Sequence, residues 1–354
     1  MIKLKTTGRR IVFALAAMVA LAGGIGIWAY AAPAQAQKML FFRIASGAAG
    51  GTYFPMAGLL AQVISNPPGA RSCAKGGNCG MEGLVAFAQS AHGSVANVSA
   101  LDADQVESAF VQSDVTFWAF TGTGPFTGKK PFKKLCVLSS LYPEHVHVVA
   151  GKDRNIKSVY DLKGKRVSIG LPESGVLVGA RLVLGTHGLE EKRDFMPEYV
   201  KSKTATELVR DGHLDALIDV SGYPIAGVSE MARATGMALV PVQGKERAAL
   251  IAEAPFYSAD VIPGDTYKGN PHPVETVSVS ALWVSRTNLP ENLHYGVVKG
   301  LYGNEQAPHL LNNGHAKGKN LTLESHHAGV PIPYCPGAAR FYTEKGVYKA
   351  PAAP

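Results

Sequence analysis

Apolar positions along the chain alternate between short runs of strand length and longer runs with helical spacing. Strands are predicted at FFRIAS, LVAFA, SAFVQ, KLCVLSSLY, HVHVVAG, RVSIG, DALIDV, MALVPV and ETVSVSALWV. Helical spacing marks MAGLLAQVI, SGVLVGARLVLGTHG, TATELVRDG, PIAGVSEMARATG and ENLHYGVVKGLYG. Such alternation predicts α/β lobes on mostly parallel sheets. Glycine and proline break the pattern at SNPPGA, DLKGKR and YKGNPHP, where loops belong. KLCVLSSLYPE and HVHVVAGK read as a lobe edge followed by a crossing strand. The pattern loosens from Pro255 to Pro273, and ETVSVSALWVSR then resumes as a long strand. A chain that leaves one lobe and returns to it predicts two lobes, a hinge and a ligand cleft between them. The expected division is 37–145 with 256–354 in one discontinuous lobe, and 146–255 in the other.

The first 36 residues stand apart. Lys3, Lys5, Arg9 and Arg10 precede an uncharged apolar run from Ile11 to Tyr30, and small residues follow in A-x-A spacing at 32–34 and 34–36. This reads as a secretory signal cut after Ala36, with an uncleaved anchor as the alternative because the run is long enough to span a bilayer. The surroundings of Arg9-Arg10 fit the twin-arginine route poorly. The segment holds four basic and no acidic residues, so its removal takes the formal charge from +8 to +4. That balance suits a small anionic ligand. No basic stripe interleaved with aromatics appears, which argues against nucleic acid. The remaining chain exceeds one ordinary core, which suggests two lobes, and none of its apolar runs is long enough to cross a membrane, so a soluble exported protein is expected; a monomer is the expected state.

Four cysteines follow the leader: Cys73, Cys79, Cys136 and Cys335. In an exported protein they can stay oxidised. Cys73 and Cys79 flank the short loop AKGGN and are expected to pair. A metal clip would need a matching C-x-x-C pair, and there is none. The state of Cys136 and Cys335 is open at this level.

Chemistry begins at RIASGAAGGTYFPMAGLLAQVI. A strand ending at Ser46 enters a glycine-rich turn, Gly47, Gly50 and Gly51, and Thr52 or Tyr53 opens a helix whose amide end attracts anions. No Gly-Lys-Ser/Thr follows, so this is not a P-loop. The glycine spacing and the lack of an acidic residue ending the next strand exclude the dinucleotide fingerprint. Similar punctuation recurs. Ser94 is read as an N-cap with Asn97 one turn on, and Gln112-Ser113 ends a strand with Asp114 as the next cap. Ser174-Gly175 and Ser221-Gly222-Tyr223 open further helices. Strand ends of this kind share one edge of an α/β sheet, where ligands collect.

GAAGGTYFPMAGLLAQVI, GSVANV, FVQSDV, SSLYPEHVHVVA, DLKGKRVSIGLPESG, LDALIDVSGYP and PIPYCPGAARFYTEKG resemble, in order, the solute-binding proteins of TAXI-type TRAP transporters. The resemblance implies a two-lobed type II periplasmic binding-protein fold and delivery to an ion-gradient-driven membrane permease. It also implies a small acid or amino-acid ligand such as glutamate, glutamine or 2-oxoglutarate. The family's G-S-V-E-N has Ala96 in place of the acid, and its P-G-S-G has become Pro172-Glu173-Ser174-Gly175. Glu173 could pair with an ammonium group, repel a second carboxylate, or simply be solvated. The expected ligand set is Ser46, Gly50, Gly51, Thr52, Tyr53, Ser94, Asn97, Gln112 and Ser113 from one lobe, with Glu173, Ser174, Gly175, Ser221 and Tyr223 from the other.

Other constellations carry less. Ser72-x-x-Lys75, more loosely Ser94-x-x-Asn97, and Lys203-Thr204-Ala205 echo serine acyl-transfer enzymes, but Ser72 lies in a Gly/Pro-rich loop rather than opening a buried helix. His145 with His147, and His326 with His327, lack a third metal ligand at suitable spacing. Trp118, Phe117 and Phe120 read as core. No nucleophile, base and orienting group come together, and no cofactor is expected. A receptor is the leading reading, ahead of a sensing module or an enzyme on the same scaffold.

Overall fold

The computed structural model describes residues 39–351, so residues 1–36, read above as a secretory signal, lie outside the described residues. The chain opens with β1 (Leu40–Ala45), α1 (Tyr53–Ile64), β2 (Ser65–Asn66), β3 (Met81–Glu82), β4 (Leu84–Gln89), α2 (Ser94–Asp102), β5 (Ser108–Gln112) and α3 (Ser113–Thr121). The long β6 (Leu135–Gly151) leads to β7 (Arg166–Ser168), α4 (Gly175–Thr186), β8 (Met196–Glu198), α5 (Ser202–Arg210) and β9 (Ala216–Ser221). Then come α6 (Ala226–Ala234), β10 (Met237–Val240), α7 (Gly244–Glu253) and β11 (Ser258–Ile262). The chain returns through β12 (Val274–Arg286) to α8 (Glu291–Tyr302), α9 (Ala307–Gly314) and α10 (Pro336–Glu344).

The main sheet runs β4-β1-β5-β12-β6-β9-β7-β8, with β10 on β6 and β11 on β12. Its two ends are parallel, as expected of βα units, but its middle is not. β12 lies antiparallel to β5 and β6, and β6 lies antiparallel to β9. The expectation of mostly parallel sheets therefore fails at the centre, because the two strands linking the lobes run in opposite directions. Ala281–Val284 of β12 pair with β5, whereas Val274–Ser278 pair with β11. Leu135–Tyr142 of β6 pair with Ala281–Arg286, whereas His145–Ala150 pair with β9. Each strand thus serves both lobes of a two-lobed α/β fold.

KLCVLSSLY and HVHVVAG, read as two strands, form the single β6. Pro143 does not break it. The β12–β6 register shifts between Ala281 and Leu282, next to the Pro143–Ser280 pair, and an irregular ladder tolerates a residue without an N–H.

One core packs β1, α1, β5, β12, α8 and α10, with Phe42, Phe110, Trp283 and Phe341 fully buried or nearly so. Phe42 meets Trp283 edge-on at 6.2 Å, a favoured ring geometry. The other lobe has two cores, one on each face of its sheet. Val148 and Ile218 belong to one, and their neighbours Val149 and Leu217 to the other, because successive side chains on a strand point to opposite faces. Tyr257, Ile262, Tyr267, Val277 and Val279 pack into these two cores, so this lobe's apolar interior continues past residue 255 into β12.

Both cysteine pairs are bonded: Cys73 to Cys79, and Cys136 to Cys335. The second, left open by the sequence, joins β6 to the start of α10 across 199 residues and is fully buried. His294 approaches both sulfurs, but their bonding to each other removes them as metal ligands. Closing a loop of that length restricts the unfolded chain far more than closing six residues does. Replacing both Cys136 and Cys335 with alanine should cost about 3–5 kcal/mol, and replacing Cys73 and Cys79 about 2 kcal/mol. Urea titrations of the two double variants test this, and equal midpoint shifts would refute the ranking.

Candidate functional site

A cavity with about 680 Å³ of empty space, part of it open to solvent, lies between the lobes. Four helices point their N-terminal ends into it. Thr52 and Tyr53 open α1, Gly93 and Ser94 open α2, Ser174 and Gly175 open α4, and Lys201 and Ser202 open α5. Only α4 carries a side-chain cap: the Leu177 N–H donates to Ser174 Oγ at 3.1 Å. At α1, α2 and α5 no side chain accepts from the first-turn amides. Each helix end leaves such amides without an intrahelical acceptor and carries a positive partial charge. Converging on one cavity, the four ends favour an anionic group there.

The local readings of these turns need adjustment. Ser94 is the first helical residue rather than the cap; Gly93 holds that position at φ +118°, where a side chain would be strained and would touch Ser174. Asp114 lies inside the first turn of α3, with Gln112 before it. No helix opens at Ser221-Gly222-Tyr223; α6 starts only at Ala226.

Of the expected ligand set, Gly51, Thr52, Tyr53, Ser94, Gln112, Ser174, Gly175 and Ser221 line the cavity. Gln112 is buried, and its Oε1 has no protein partner. Ser46, Gly50, Asn97, Ser113, Glu173 and Tyr223 do not line it. Asn97 is a brace: its Nδ2 donates to the carbonyls of Ser46 and Phe110 at 2.7 and 2.8 Å, tying α2 to β1 and β5. Ser46 donates to the Gln89 carbonyl, and Ser113 is fully buried. Gly50 lies against Lys203, where a Cβ would come within 2.7 Å of that side chain. Glu173, at φ +63°, lines a second groove instead. The Tyr223 ring receives the Lys317 ammonium at 3.5 Å.

The lobes touch across the cleft. Thr52 Oγ1 donates to the Gly222 carbonyl at 2.8 Å and accepts from Ser221 Oγ at 2.9 Å. The Ala96 N–H donates to the Glu173 carbonyl at 3.0 Å, and Tyr257 OH donates to Asp114 Oδ2 at 3.1 Å. At Gly175 a Cβ would lie 2.1 Å from Gln112 Oε1 and 2.7 Å from Ser94 Oγ, so glycine is what lets α4 come this close. These contacts describe a closed cleft.

Sequence reasoning missed two buried acids in the wall, Glu144 and Asp219. Tyr53 OH donates to Glu144 Oε2 at 2.7 Å, and Ser202 Oγ donates to Asp219 Oδ2. Burial holds both carboxyls above the usual range. A partial signal existed: Glu144 sits at the junction of two runs read as strands and Asp219 inside DALIDV, and acids are seldom fully buried unless paired.

The family model of the NMT1-like family matches residues 44–346, most of the chain. The chain belongs to the NMT1-like family. It is similar in outline to the alkanesulfonate-binding protein SsuA from Xanthomonas axonopodis pv. citri bound to MOPS, at 16% identity and a TM-score of 0.44 over 80% of this chain and 78% of that one. A binding-protein component of an ABC phosphonate transporter from Pseudomonas aeruginosa is similar at 10% identity and a TM-score of 0.49, over 78% and 79% of the two chains. An ancestral arginine-binding protein bound to arginine gives 15% identity and a TM-score of 0.40, over 74% and 90%.

The Asp114–Tyr257 bond carries a pH dependence. Burial lifts the Asp114 carboxyl from 3.8 to about 6, opposed by its bonds from the Val115 N–H and Tyr257 OH. Because the folded value is the higher one, this contribution to stability is full below about pH 4 and is lost as pH rises through 6. Asp114→Asn should therefore remove on the order of 2–3 kcal/mol of stability change between pH 4 and 7. Urea unfolding at both pH values measures it; an unchanged difference in the variant would contradict the assignment.

Proposed function

We propose that this NMT1-like protein is an extracytoplasmic solute receptor that closes on a small organic acid or amino acid and hands it to a TRAP-type membrane permease. The observation that carries this reading is the convergence of four helix N-termini on one closed interlobe cavity. Such a site grips an anion through neutral donors. The basic, apolar and A-x-A pattern of residues 1–36 supports export to the periplasm. Among the described residues no helix is long and apolar enough to cross a membrane. The TAXI-like motifs support the permease partner and a glutamate-, glutamine- or 2-oxoglutarate-like ligand.

The reading divides the chain into 37–145 in one lobe and 146–255 in the other, with the stretch from Tyr257 to Val279 packing on the second lobe before the chain returns to the first, β6 and β12 forming the hinge. Gly51, Thr52, Tyr53, Ser94 and Gln112 face the ligand from the first lobe, and Ser174, Gly175 and Ser221 from the second.

Thermal-shift screening against dicarboxylates, 2-oxo acids and acidic or neutral amino acids identifies the ligand. At a hundred times its Kd, a ligand stabilises by about 2.7 kcal/mol. Gln112→Ala should weaken it about ten- to a hundredfold while leaving the free protein folded. Binding unchanged by Gln112→Ala would move the site elsewhere, and consumption of the ligand by purified protein would end the receptor reading.

A further inference from the structure

Two buried carboxyls stand in the cavity wall without an ion-pair partner, Glu144 and Asp219, and Glu144 keeps one oxygen without a hydrogen bond. Glu144 is 2% exposed and enters none of the ion pairs among the described residues. Its Oε2 accepts from Tyr53 OH, and no protein donor or acceptor reaches Oε1. Its other titratable neighbours are Tyr142 on the same strand, Asp114 on α3, Asp219 on β9, Tyr257 from the second lobe and Lys317 from a 3₁₀ turn after α9. Lys317 seats its ammonium over the Tyr223 ring rather than on this carboxyl. A buried carboxylate without a partner is costly, and Asp114 and Asp219 add repulsion. An anion drawn in by the helix ends would add more.

We propose that Glu144 meets the ligand as a neutral carboxylic acid, donating its Oε1 hydrogen to a ligand oxygen, and that it thereby selects an oxygen-acid anion over a ligand that would place an ammonium group there. This rests on the receptor reading above and narrows its ligand class towards dicarboxylates and 2-oxo acids. The arrangement is consistent in its protons: Tyr53 donates to Oε2, the acid's own hydrogen points into the cavity, and the ligand supplies only an acceptor. An O–H···O⁻ bond of this kind is short and strong. Burial, reinforced by the two acids and only partly offset by Tyr53 and Lys317, keeps the carboxyl protonated well above the ordinary range. Affinity should therefore be level while this proton is held and fall about tenfold per pH unit once it is lost.

Infrared difference spectra between ligand-free parent and Glu144→Gln, at neutral pH, should show the carbonyl band of a protonated carboxyl in the parent only. Its absence overturns the proposal without reference to any ligand. Titrations with 2-oxoglutarate and glutamate supply the second arm. Glu144→Leu should lose at least tenfold in affinity for the tighter of the two, and Glu144→Gln should recover most of that loss, since its amide donates to the ligand and accepts from Tyr53. Glu144→Gln should also remove the alkaline fall. A Gln variant as weak as the Leu variant, with glutamate the tighter ligand, would show Glu144 acting as a carboxylate against ammonium and would refute the proposal. If neither probe nor any other acid binds the parent, the receptor reading fails, and the infrared band still decides the state of Glu144.

Discussion

Two antiparallel strands shared by both lobes are the constraint from which the rest of this molecule follows. β6 and β12 each pair with one set of partners near one end and another set near the other, so neither lobe completes its sheet without them. Beside them β4, β1 and β5 lie parallel in one lobe and β9, β7 and β8 in the other, and the turns after those strands collect along the facing edges. Since a helix follows most of these strands, its N-terminal end is what the cleft receives. The cavity's electrostatic character is thus a result of topology before it is a result of any single side chain.

The same topology explains the unusual acids. Glu144 lies on β6 just past the irregular step in the ladder, where the strand passes from one lobe to the other, and Asp219 lies near the end of β9 beneath α5. Neither has a basic partner, yet each takes a hydroxyl donor from a helix start: Tyr53 on α1 and Ser202 on α5. Each acid is met by a hydroxyl at a helix start without forming an ion pair. Lys317 is the nearby exception. Burial lowers its ammonium to about 8, while Asp260 and Glu144 pull it back up.

Much of the fold could be read from local pattern. Every strand predicted from apolar runs exists, although KLCVLSSLY and HVHVVAG merge, because Pro143 sits where the ladder already lacks regular bonding. α7, α9 and α10 were not read as helices: their turns are short or mixed in polarity, and α10 is recognisable mainly by its packing on α8 and β6. The cavity was legible only in part. Gly51, Thr52 and Ser174 stand at strand-to-helix turns, whose positions follow from spacing. Asn97 and Tyr223 stand at similar turns and serve other ends, one bracing two carbonyls and the other stacking beneath Lys317. Nothing local separates these two groups.

By itself, the sequence determined most of the segments that become strands and helices and the glycine-rich turns that break them. All of these depend on spacing over a few residues, which apolar periodicity and backbone freedom record directly. Tertiary structure decided which turns face the cleft, that Cys136 meets Cys335 across 199 residues, and that Glu144 is buried beside Tyr53 with no cation. Those outcomes depend on long-range closure and on what surrounds a group once water has left, and neither is written in the neighbouring residues.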